Sequence, residues 1–179
     1  MPKLIFSFAE IPADGLLVKE RATTDELGLL PDEARTAEPL SINARVTKSE
    51  NEMYVDGEVT GTFERECVRC LTEYAAFTRV PFSVIYTLGD LKAQGLGMSA
   101  SDDDDEVYAC TEEEADLTEM LREHIILSTP MQPLCHEECR GLCPVCQRNW
   151  NDAECGCQEW VPPNPFAKLQ GRLGSHSRQ

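Results

Sequence analysis

The chain has 179 residues, 41% of them hydrophobic and 7% aromatic, and a formal charge of −16 from 16 basic and 32 acidic residues. That length fits one domain, or one domain with a small appended module. The acidity opposes wholesale binding to nucleic acid phosphates, and no window approaches the roughly 18 apolar residues of a membrane span.

The charge is uneven. Residues 1–129 hold 11 basic and 27 acidic groups, whereas residues 130–179 hold 5 of each. Within 160–179, Lys168, Arg172 and Arg178 meet no acid. Such a body predicts a basic protein as partner, besides staying soluble. At the N-terminus the apolar run is short, is broken by Glu10, Pro12 and Asp14, and leads to no small-residue cleavage site. The expectation is a cytoplasmic chain with reduced thiols.

In chain order, residues 3–8 alternate weakly and predict a first strand. Residues 22–40, with Pro31 and Pro39, read as a loop with one short helix. Alternation predicts strands over Ser41–Lys48 and Met53–Glu64, with a turn or bulge at Asp56-Gly57. Tyr74–Leu88 is a third strand, in which Pro81 asks for an edge position or a bulge. Residues 89–106, with three glycines and Asp102 to Asp105 in a row, read as a flexible acidic loop. Val107–Cys110 is a short strand, and Cys110, lacking a partner at metal spacing, is a buried small residue.

A helix follows over about 116–127. Asp116 caps it with Glu119 as a capping box, and Leu117, Met120, Leu121, Ile125 and Ile126 form its apolar stripe. Pro130 and Pro133 stop it, and His124 reads as structural. Near the C-terminus, Asn164-Pro165 opens a short helix with Phe166, Leu169 and Leu173 on one face. Its apolar face is too small for a free helix, so it must dock on the body or on a partner.

Between these helices the periodicity vanishes and cysteines take over. The pairs are Cys67/Cys70, Cys135/Cys139, Cys143/Cys146 and Cys155/Cys157. In a reducing compartment such spacings read as zinc ligands, four thiolates to a closed tetrahedron. The favoured pairing puts Cys143, Cys146, Cys155 and Cys157 in a local site. Cys135 and Cys139 then close onto Cys67 and Cys70, tying the tail to the sheet. One site with spare thiols, His136 in place of a cysteine, and metal-free redox thiols stand as alternatives. One or two zinc ions are expected. A closed four-thiolate site has no open position for substrate. The chain also has no phosphate-cradling glycine loop, nucleophile elbow or helical histidine pair. No enzyme, and no small-molecule substrate, is expected.

These residues also resemble a family. Glu66-Cys67-Val68-Arg69-Cys70-Leu71 is similar to the central signature of the YceD family, known as DUF177. His124 to Pro130 resembles the end of that family's helix. Cys139 to Cys146, with Asn149, Asn151, Cys155 and Cys157, resembles its cysteine-rich segment, although Gln147 stands where many members have glycine. Asn164-Pro165-Phe166-Ala167 with Leu169 resembles its C-terminal signature. The resemblance implies a role in accumulation of large-subunit ribosomal RNA, with no enzymatic activity. The expected partner is a ribosomal protein or a large-subunit precursor; direct RNA contact is left open. The other readings are a thiol redox protein and a zinc-stabilised interaction module for an unrelated partner.

The expected architecture is α+β. It has an acidic body over 1–130, made of a mainly antiparallel sheet and one central helix. A zinc-ordered, cysteine-rich segment and the short terminal helix fill 131–179.

Overall fold

A computed structural model describes residues 2–88, 106–110 and 114–157. Its eight strands are β1 (Ile5–Ser7), β2 (Leu16–Ala22), β3 (Arg35–Thr36), β4 (Leu40–Ser49), β5 (Glu52–Glu66), β6 (Glu73–Leu88), β7 (Glu106–Cys110) and β8 (Glu114–Asp116). One helix, α1 (Leu117–Leu127), follows. The main sheet runs β2-β4-β5-β6-β7, with β3 also on β5, and a second small sheet pairs β1 with β8. Every pair is antiparallel except β6–β7, which runs parallel from Val84↔Glu106 to Leu88↔Cys110. The sheet is therefore mainly antiparallel, as expected, and mixed at one edge.

Alternation decides which face is covered. Ile42 and Val46 on β4, Val55 and Val59 on β5, and Val80 and Val84 on β6 all turn to one side and are buried. Leu117, Met120, Leu121 and Ile125 of α1 pack on that side with Leu4, Phe6, Phe8 and Ile11. Asp116 caps the helix by accepting from Thr118 N at 2.9 Å. Its bond is thus to the second helical amide rather than to that of Glu119, the amide a capping box would use. Tyr86 donates to Asp116 O at 3.1 Å and ties the cap to the sheet. His124 is structural, as expected. Its Nδ1 meets Met120 O at 2.9 Å and its ring stands edge-on to Phe82. Cys110 is buried, and that burial pushes its thiol up.

Several expectations need correction. The first strand is shorter than 3–8, because a single 3-10 turn, Phe8–Glu10, begins at the cap Ser7. No helix forms within 22–40. A helix-opening signal is present, since Thr23 N donates to Glu26 and Glu26 N to the Thr23 hydroxyl. Gly28, at φ 67, ends the chain's turn after one cycle.

Asp56-Gly57 is neither turn nor bulge: β5 runs through it, paired with Ala44, Arg45, Phe82 and Ser83. Pro81 makes no bulge, with Glu58↔Pro81 in unbroken register. It does sit where β6 has β5 alone as neighbour, since β7 joins only at Val84. Strands β2, β3 and β8 were not expected. The acidic loop, apart from Glu106, and the terminal helix at Asn164 to Leu173 lie outside the described residues.

The β5–β6 hairpin positions the site. Its 15- and 16-residue strands pair from Glu52↔Thr87 to Glu66↔Glu73. At about 3.4 Å per residue the ladder is about 50 Å long. Its far tip is the loop 67–72, which carries the first pair of cysteines.

Candidate metal centres

The tip loop has a defined backbone. Cys67 N–H donates to Thr72 O at 3.0 Å, and Leu71 N–H donates back to Cys67 O at 2.8 Å. Closing so tight a loop puts Leu71 at φ 57. The same pattern recurs 76 positions on. There Cys143 N–H donates to Arg148 O at 2.9 Å, Gln147 N–H donates to Cys143 O at 2.8 Å, and Gln147 has φ 59. Both cysteine pairs therefore sit in one kind of knuckle, with the residue after the second cysteine in the left-handed region.

The tail docks on the hairpin tip through specific bonds. Val68 N–H donates to Pro133 O at 3.0 Å, Leu142 N–H to Arg69 O at 3.2 Å, and the Arg69 guanidinium to Cys139 O at 2.9 Å. Gly141, at φ 77, lies so close that an added Cβ would stand 3.1 Å from Arg69 O. Docking delivers Cys135 and Cys139 to Cys67 and Cys70. The four sulfurs lie within 4.8 Å of one another, Cys67–Cys139 at 3.7 Å and Cys70–Cys135 at 3.6 Å. Tyr74, Leu134 and Leu142 pack around them.

A second set, Cys143, Cys146, Cys155 and Cys157, meets the same 4.8 Å limit within one local loop. It is the more open of the two, with Cys146 exposed. The eight thiols thus fall into the two groups that the spacing favoured, and His136 joins neither.

These separations suit a metal. Thiolates 2.3 Å from a tetrahedral zinc are about 3.8 Å apart, whereas disulfide sulfurs bond at about 2.05 Å. Within each set the thiols bias one another's protonation. Burial pushes the Cys67 thiol up, but backbone groups of Cys135, Cys70 and Arg69 hold it down to about 6. Burial and then the neighbouring thiols push Cys135 up to about 12. In the second set the Trp150 indole, ahead of the Cys157 backbone, brings Cys155 down to about 6. The Cys146 thiol, ahead of burial, pushes Cys157 up to about 12. Four thiolates in so small a space repel one another, and a divalent cation is what permits all four to lose their protons.

Residues outside the cysteine pattern orient the sulfurs. Asn151 Nδ2 donates to Cys139 Sγ at 3.2 Å, and Trp150 Nε1 donates to Cys155 Sγ at 3.3 Å. Thr72 Oγ1 is 3.3 Å from Cys70 Sγ. Asn151 is itself fixed, its Oδ1 accepting from Arg140 N at 2.8 Å. Asn151 therefore couples the loop of the second set to a sulfur of the first. In the sequence Asn151 stood out through the family resemblance, Trp150 only by lying within the cysteine-rich segment, and Thr72 not at all.

The left-handed knuckle positions give a prediction. A non-glycine residue there costs about 1 kcal/mol relative to glycine. Gln147→Gly should therefore tighten the second site about fivefold in competition with a chelator. Gln147→Val should weaken it. Equal retention in all three proteins would mean that the backbone at 147 is not strained.

Residues 55–171 match a family model described as Large ribosomal RNA subunit accumulation protein YceD. An uncharacterised protein of Mycobacterium tuberculosis (strain ATCC 25618 / H37Rv) is 28% identical over 141 residues, covering 77% of this chain and 64% of that protein. YlbN of Bacillus subtilis (strain 168) is 24% identical over 149 residues, covering 82% and 81%. A Zea mays protein named Large ribosomal RNA subunit accumulation protein YCED homolog 1, chloroplastic, is 25% identical over 159 residues, covering 76% and 53%. The chain thus spans 64% of the length of the Mycobacterium tuberculosis relative and 51% of a Mycobacterium leprae one. No solved structure matches it significantly. Among the described residues no helix is long and apolar enough to cross a membrane.

Proposed function

The chain belongs to the YceD family, and from that premise we propose that it is a non-enzymatic assembly factor supporting accumulation of large-subunit ribosomal RNA. One observation carries this reading: the family match spans 55–171 and so includes all eight clustered cysteines. The zinc role follows from the donor set. Cys67, Cys70, Cys135 and Cys139 would hold one ion, and Cys143, Cys146, Cys155 and Cys157 a second. Each would be a closed structural site that orders a segment lacking helix or strand of its own. The work is placed in the cytoplasm, where thiols stay reduced.

The charge suggests how a partner is met. The acidic body would contact a basic ribosomal protein or a precursor particle carrying one. Exposed charges are screened within about 8 Å at physiological ionic strength. Affinity for such a protein should therefore fall steadily as salt rises from low to physiological levels. Binding indifferent to salt would remove the electrostatic account.

The functional test is genetic. Cells lacking the gene should contain less large-subunit than small-subunit ribosomal RNA, and the wild-type chain should restore the ratio. An unchanged ratio in the deletion strain would contradict the proposal.

A further inference from the structure

Among the described residues, the packed elements cover one face of the main sheet and leave the other open. The outward residues of the central strands form cross-strand rows: Leu17–Arg45–Asp56–Ser83, then Lys19–Asn43–Glu58–Pro81, then Arg21–Ser41–Thr60–Arg79. Thr62–Phe77 completes the next row. Across residues 1–129 acids outnumber bases by 27 to 11. In these rows the ratio inverts, with Lys19, Arg21, Arg45 and Arg79 against Asp56 and Glu58; the same face turns acidic again toward the hairpin tip, at Glu64–Ala75 and Glu66–Glu73.

Both acids are already engaged. Glu58 pairs with Arg79 at 3.1 Å, and Asp56 accepts from the Ser83 hydroxyl at 2.7 Å. Lys19, Arg21 and Arg45 make no ion pair or hydrogen bond among the described residues. Two shallow depressions of about 360 and 300 Å³ lie on adjacent rows, the first bounded by Arg21, Phe77 and Glu38, the second by Lys19, Arg45, Asp56 and Glu58. Phe77 is 71% exposed, far more than a sheet phenylalanine needs for packing.

We infer that this outward face is a binding platform for a single-stranded segment of RNA, with Lys19, Arg21 and Arg45 on its phosphates and Phe77 stacked on a base. The inference rests on the ribosomal-RNA reading above and names the surface that would touch the RNA. Cations that no described residue engages, beside an exposed aromatic ring and neutral hydroxyl and amide side chains, are what a sequence-tolerant single-strand site needs. An acidic peptide would use the cations but has no base to lay on Phe77.

The overall charge does not forbid such contact at physiological salt. The acids of the same face beyond Phe77, Glu64, Glu66 and Glu73, are muted at physiological salt wherever they lie more than a Debye length of about 8 Å from the strand. At about 0.01 M salt the screening length grows to about 30 Å and the whole acidic chain repels the strand.

The test uses the full, zinc-replete chain and a fluorescent uridine oligonucleotide of about 12 residues, within the usual site sizes. Fluorescence anisotropy should show affinity rising from about 0.01 M to about 0.1 M salt and falling above that. Lys19→Gln/Arg21→Gln/Arg45→Gln should lower affinity at least tenfold, with melting temperature and zinc content unchanged. Phe77→Ala should lower it about tenfold, and Phe77→Trp should retain it.

Absence of binding by the wild-type chain, or unchanged binding by both variants, overturns the inference. So does tighter binding of a polyglutamate peptide that ignores Phe77→Ala, which would assign the face to an acidic protein. The function can fail separately. If deletion lowers large-subunit RNA and the cation variant restores it fully, the platform is wrong and the assembly role stands. If deletion changes nothing, the assembly role falls and the oligonucleotide alone decides the face.

Discussion

Cys67→Ser is expected to release one zinc of two and to free the tail from the hairpin tip, while the other zinc stays bound. Cys67 is fully buried among Cys70, Cys135 and Cys139. Without the metal, docking would rest on a few bonds, chiefly Val68 to Pro133, Leu142 to Arg69 and Arg69 to Cys139. Structural zinc contributes on the order of 10 kcal/mol to segments of this kind, far more than those hydrogen bonds, at about 1 kcal/mol each. Hydrogen exchange at the Val68 and Leu142 amides should therefore accelerate sharply. Cys143→Ser should do the converse, emptying the local site and sparing the first. If Cys67→Ser leaves both metals in place, the two groups do not act as two sites.

The second large effect lies in the sheet. A Cβ at Gly57 would stand 2.4 Å from Asn43 O, 2.8 Å from the Ala44 Cα and 2.8 Å from Phe82 Cζ. Two of these are backbone atoms of a neighbouring strand, and β5 is held on both sides. Nothing yields cheaply, so Gly57→Ala should cost about 3 kcal/mol, the upper end for overpacking. That corresponds to a melting temperature lower by about 10 °C. Gly61→Ala meets chiefly the Leu40 side chain, whose Cδ2 would be 2.2 Å away. A rotamer change can relieve that contact, and the loss should be less than half as large. Equal losses at the two positions would show that strand spacing does not decide.

The same glycine shows where sequence reading stops. Asp56-Gly57 carries a turn signal, yet the residue is glycine because β4 and Phe82 press on it from outside the local sequence. Strand β2 was hidden for a related reason. Of Leu16–Ala22 only Val18 and Ala22 are buried, and Lys19, Glu20 and Arg21 interrupt any apolar rhythm. Its place is set by pairing with β4, which was legible from Ile42, Ala44 and Val46. The parallel partnership of β7 depends on a connection that no local pattern encodes.

The eight thiols were legible because ligand spacing is itself a local constraint, two cysteines to a tight loop. The hairpin that carries Cys67 and Cys70 was legible from alternation on both flanks. Trp150 and Thr72 were not, and Asn151 stood out only through the resemblance without its role, since each acts on a sulfur through the folded arrangement. Gln147 holds a left-handed backbone that glycine would adopt more cheaply.

Zinc bound per chain tests the account most directly. Protein purified under reducing conditions, without added metal, should contain two zinc ions by elemental analysis. Thiol titration after chelation should expose eight more reactive cysteines than before it. A fully folded, metal-free chain whose tail remains docked on the hairpin would contradict the account.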